Sequence, residues 1–138
     1  MATSGTDKNI TAAELATAVR TIGALVTAST VFAQAQAVNA QTGTTYTLVA
    51  ADAGKLVTLS NAAAITLTVP QDSAATIAIG TYVDLLQLGA GQVTVAVDAG
   101  STLRTSGLTA KARAQYSRLA VQKVSANTWS LMGDLAAS

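Results

Sequence analysis

The sequence predicts a mainly β fold, an antiparallel β-sandwich or jelly-roll-like barrel with a short N-terminal helix and an extended arm. Three observations carry that expectation. From Thr44 onward apolar residues recur at alternate positions, and turn residues interrupt the run at short intervals. Ahead of it, between Ile10 and Val26, the apolar spacing is three and four instead. The boundaries follow: residues 1–43 form helix and arm, and residues 44–138 form the β domain.

The helix is expected over residues 12–26. Thr11 and Glu14 stand at the spacing of a capping box, and Ile10 and Leu15 at that of a hydrophobic staple. Leu15, Val19, Ile22 and Val26 then fall on one stripe. So short a helix, weakened by Gly23, is marginal alone in water. Its stripe must dock on its own β domain or on a neighbouring subunit. An export signal is disfavoured, because no net positive charge precedes the apolar run and Thr and Ser interrupt it. The run is also too short and polar to span a bilayer. Residues 33–44, rich in Ala, Gln, Asn and Thr without a clear period, read as an extended linker.

Within the β domain, residues 65–69 and 93–97 alternate cleanly, placing Ile65, Leu67, Val69 and Val93, Val95, Val97 on inner faces. Further strands are expected at 46–49, 55–60, 82–88, 116–124 and 128–132. The breaks at 61–64, 89–91 and 125–127 are each short enough to join antiparallel neighbours. Pro70 ends its strand because it cannot donate to a ladder. The strand at 82–88 is apolar on both faces, with Val83 and Leu85 on one and Leu86 and Leu88 on the other, so it calls for cover on both sides.

Composition narrows the chemistry. Histidine and cysteine are both absent, which removes a Ser-His-Asp arrangement, thiol catalysis and His- or Cys-ligated metal sites. The acids are spread evenly, and Asp52, Asp72 and Asp98 read as turn residues. No enzyme, cofactor or metal is expected. Gly89 and Gly91 lie between strands with no helix or Lys-Ser/Thr behind them, so they mark a turn and not a phosphate loop. A net charge of +1 gives no field for nucleic acid or anionic membrane. Only 11% of residues are charged, against about 25% in a typical domain. Such a surface implies cover by other subunits. Arg104, Lys111, Arg113, Arg118 and Lys123 gather in the C-terminal third, on a solvated sheet face or a patch facing an acidic protein. Trp129 is placed to close the core.

The strings YTLVAADAGKLVTLS (46–60), AITLTVP (64–70), LGAGQVT (88–94), AQYS (114–117) and WSLMGDL (129–135) resemble a module of head, tail and fibre proteins of tailed bacteriophages. The resemblance implies a β-sandwich-like fold, usually trimeric, with no shared catalytic site. The chain departs from fibre-type members in having one β module and no shaft. That anatomy implies a capsid decoration protein, a homotrimer on the outer surface of the virion capsid that bridges capsomers of the major capsid protein. The alternative is a small tail or head-fibre component that contacts a host surface glycan. The expected oligomer or capsid interface comprises Leu15, Val19, Ile22, Leu86, Leu88, Arg104, Lys111, Arg113 and Arg118.

Overall fold

The computed structural model describes residues 11–13 and 35–138. The chain divides into Met1–Ala35 and Gln36–Ser138, and the β structure belongs to the second unit. Of the helix expected over residues 12–26, only Ala12 and Ala13 are described, and the remainder, with Leu15, Val19 and Ile22 on its stripe, lies outside the described residues.

The second unit is mainly β. Its first six strands are β1 (Val38–Gln41), β2 (Thr45–Thr47), β3 (Leu56–Leu59), β4 (Ile65–Val69), β5 (Tyr82–Gln87) and β6 (Val93–Val97). They alternate between two sheets, so each strand is parallel to the one two places before it. After β7 (Thr102–Arg104), β8 (Arg118–Ser125) and β9 (Thr128–Gly133) form an antiparallel hairpin. A six-stranded mixed sheet results, in the order β1-β3-β5-β8-β9-β7, beside a three-stranded parallel sheet β2-β4-β6.

This corrects the antiparallel expectation. Among the described residues, antiparallel strand pairing is confined to β5–β8 and β8–β9, while β7 joins β9 in parallel. The physical reason lies in the breaks. Residues 61–64 and 89–91 are corners that carry the chain from one sheet to the other, not hairpins that return it beside itself. Only the break at 125–127 is a hairpin, with Asn127 at φ 50°. The six strands therefore wind as three stacked rungs, and from the second rung to the third every paired residue lies 28 positions further along the chain.

The alternation expected at 65–69 and 93–97 holds: Ile65, Leu67, Val69, Val93 and Val95 are buried, while Thr66, Thr68 and Thr94 lie on the opposite pleat. Val57, Leu59, Val83, Leu85, Leu119, Val121, Trp129 and Leu131 join them in one core cluster drawn from both sheets. Full burial of each such side chain stabilises by roughly 1.5–3 kcal/mol.

The first rung differs. Asn39, Gln41 and Tyr46 stand in register with Val57, Leu59 and Leu67, so polar groups replace apolar ones at the end of the stack. They close on Asp52, at the end of the 3-10 turn Ala50–Asp52. Its carboxylate accepts from Asn39 Nδ2 at 2.8 Å, the Tyr46 hydroxyl at 2.8 Å and the Val49 amide at 3.0 Å. Asp52 is thus a buried acceptor that caps the turn. Strand β1 lies in the stretch read from the sequence as linker.

Candidate interaction surface

Inward-facing residues of the six-stranded sheet fill the core, and the opposite pleat forms its outer face. Register aligns three rows across that face. One runs Val38, Leu56, Asp84, Ala120, Met132; a second runs Ala40, Thr58, Leu86, Arg118; a third runs Tyr82, Gln122, Ser130, Arg104. Val38 is 60% exposed and Met132 42%, while Leu56 and Leu86 are half-buried. The two-sided apolar strand expected at 82–88 is met in part: Val83 and Leu85 are buried on the inner face of β5, whereas its outer pleat carries Tyr82, Asp84 and half-buried Leu86, and Leu88 lies past the end of the strand.

An ion pair sits at the centre of the face. Arg118 Nη2 donates to Asp84 Oδ2 at 3.0 Å and to Gln36 Oε1 at 3.3 Å, and Gln36 Nε2 donates to the same carboxylate oxygen at 2.9 Å. Burial raises the Asp84 pKa, but hydrogen bonds from Gln36, Arg118 and Tyr82 outweigh it and hold the carboxyl below its usual value. The Tyr82 phenol is pushed up, first by burial and then by the Asp84 carboxylate. Beside the pair lies an open depression of about 190 Å³, lined by Tyr82, Asp84, Arg118, Ala120, Met132 and Gly133.

A rigid knuckle stands next to it. The Ser117 amide donates to Ala114 O, closing a four-residue turn whose third position, Tyr116, has φ 69° and is 68% exposed. That position favours glycine. The Tyr116 amide donates to Gln87 O at 2.7 Å, Gln115 Nε2 to Leu88 O at 2.8 Å, and the Ser117 hydroxyl to Asp134 Oδ2 at 2.7 Å. Arg113 clamps Asp134 with two bonds of 2.6 and 3.0 Å, and with Ser117 holds that carboxyl below its usual pKa.

The residues expected at an interface are partly brought together. Leu86 and Arg118 are direct cross-strand partners, and Leu88 and Arg113 flank the knuckle. Arg104 lies on edge strand β7 at the far side of the sheet, and Lys111 bridges to Thr94 of the other sheet. Lys123 leaves the basic group altogether. It is 3% exposed, and its ammonium donates to Asp72 at 2.5 Å and to the Ile77 carbonyl at 2.6 Å. Sequence reasoning missed Gln36, which reads as linker, and Tyr116, whose positive φ no neighbouring residue announces.

Each described carboxylate has a structural partner: Asp52, Asp84 and Asp134 as above, Asp72 in Lys123 and Asn127, and Asp98 in the Gln71 amide. Among the described residues no group of three or more acids could hold a metal ion, and no helix is long and apolar enough to cross a membrane. No protein-family model, curated protein or solved structure matches the chain.

Proposed function

We propose that this chain is a non-catalytic virion structural protein of a bacteriophage, a homo-oligomeric capsid decoration protein on the outer surface of the head. Its fold is read as a β-sandwich whose two sheets enclose the core. It acts through surface, without cofactor, and bridges capsomers of the major capsid protein; nucleic acid and membrane are not its partners. The observation that carries the reading is the outer face of the six-stranded sheet, where Val38, Leu56, Leu86 and Met132 surround a charge-neutral ion pair. A face on which apolar residues surround charges already paired to each other, with Arg104 out on the edge strand, fits a protein neighbour better than a polyanion. The commitment of each described acid to a structural hydrogen bond favours the same reading over a hydrolase. The phage setting rests on the resemblance of its strand and corner strings.

Exposed Tyr116 and Tyr82 favour a second reading, a small tail or head-fibre component that stacks on a host surface glycan. Copy number per virion separates the two. Hundreds of copies on the shell lattice support decoration, a handful at one vertex support the fibre, and absence from purified virions overturns both.

A further inference from the structure

We infer that the depression on the outer sheet face receives Tyr116 of a second copy of this chain. The inference rests on the oligomeric part of the proposed function and not on its capsid setting.

Two features of one surface match each other. Tyr116 is the most exposed of the large hydrophobic residues described, and it occupies a turn position where an aromatic side chain is disfavoured. Its backbone is pinned to Gln87, and its turn to Leu88 and Asp134, so docking has only the rotamer freedom of the ring left to restrict. A strained, rigid and exposed aromatic is explained by what it contacts, since Gly or Asn would build the same turn with less strain.

The depression supplies the complement. Met132 offers a thioether, Tyr82 an aromatic ring and Arg118 a guanidinium, each of which favours an aromatic ring. Its volume of about 190 Å³ exceeds the roughly 150 Å³ in which an apolar cavity holds benzene. Tyr116 does not line the depression of its own copy. Charge admits a second copy. The depression carries one acid and one base already paired to each other, so a strongly charged partner gains nothing there, whereas a second copy of net charge +1 meets only a weak, salt-screened repulsion. The contact closes reciprocally in a dimer or cyclically in a trimer, and the sedimented mass tells which.

The test is sedimentation equilibrium of the full chain at micromolar concentration, with Tyr116→Asn and Met132→Glu singly and together. Both singles are expected to raise the dissociation constant at least tenfold, and the double no further than the worse single, because both remove one contact. Compared at a concentration low enough for both to be monomeric, Tyr116→Asn is expected to unfold in urea no earlier than the parent, since Asn tolerates this backbone. A parent chain that sediments as a monomer overturns the oligomeric reading and this inference together. An oligomeric parent whose mass is unchanged by Tyr116→Asn overturns the inference alone.

Discussion

Gly91 lies directly against Ala63. A Cβ on Gly91 would fall inside the Ala63 carbonyl group, and one on Gly89 would meet the Asn61 backbone. The two glycines form the corner of the third rung, and Ala63 and Asn61 the corner of the second. Backbone therefore rests on backbone, tied by the Gly91 amide to Asn61 O at 2.8 Å, while Asn61 Nδ2 reaches on to Thr42 O at 2.7 Å. No flexible side chain is present to give way. Gly91→Ala is expected to destabilise by about 3 kcal/mol or more, the upper end of overpacking costs. Gly107→Ala, with open space around it and only φ 84° against it, is expected to cost about 1–2 kcal/mol. Urea midpoints at constant slope compare the two.

That stacking explains what the sequence disclosed and what it hid. Strand positions and inner faces were legible, because an alternation such as Ile65, Leu67, Val69 looks the same whether the neighbouring strand runs parallel or antiparallel. Direction was not. The deciding signal was a 28-residue offset, which superimposes the string LVTLSNAAAITLTV on DLLQLGAGQVTVAV and sets Val57 on Leu85 and Ile65 on Val93. Strand β1 escaped because its inward residues, Asn39 and Gln41, are polar and find partners only through Tyr46 and Asp52. Of the outer face, Leu86 and Arg118 were legible as candidates. Their direct opposition, and the entry of Gln36 beside Asp84, depend on register that no local pattern encodes.

Lys123 should behave as a buried cation whose partners matter more than its charge. Its ammonium is held by Asp72 and the Ile77 carbonyl, and Asp72 and Asn127 bond each other's main chain. Asp72→Ala leaves the ammonium buried with one acceptor. We expect a loss of about 2–3 kcal/mol, somewhat below the 3–5 of fully buried pairs because the Asp72 side chain is partly hydrated. Lys123→Met removes the charge and keeps the volume, so it is expected to stay within about 1 kcal/mol of the parent. Urea unfolding that ranks Lys123→Met as the more damaging change would contradict this account.

Tyr46 predicts an alkaline limb of instability. Burial raises its phenol pKa first, and the hydrogen bond to Asp52 and that carboxylate's charge raise it further. A folded-state pKa above the unfolded value of about 10 means that the native state holds the proton more tightly. The associated stability is complete below pH 10 and is lost as pH rises through the folded pKa. Tyr46→Phe removes this limb, leaving the one due to Tyr82. It also deprives Asp52 of one donor, so the variant is expected to be about 1 kcal/mol weaker at pH 7. Unfolding free energies from pH 7 to 11 should show the gap between parent and variant narrowing above pH 10.

Trp129 carries an unsatisfied group into the core. Its side chain is 1% exposed, and its indole N–H finds no hydrogen-bond partner among the described residues. A buried donor left unpaired costs about 1–3 kcal/mol. Trp129→Phe removes that donor while keeping an aromatic ring, so the lost contacts are partly offset. We expect a net loss below about 1.5 kcal/mol, against about 3–5 for Trp129→Ala, which gives up the ring and leaves a cavity. Because this is the only tryptophan in the chain, its emission reports unfolding of the parent and is lost in both variants. Circular dichroism at matched urea concentrations must therefore rank the three proteins. A Trp129→Phe loss as large as that of Trp129→Ala would mean that the indole N–H has a partner in solution, such as an ordered water, and that the orphaned donor is not a cost the native core carries.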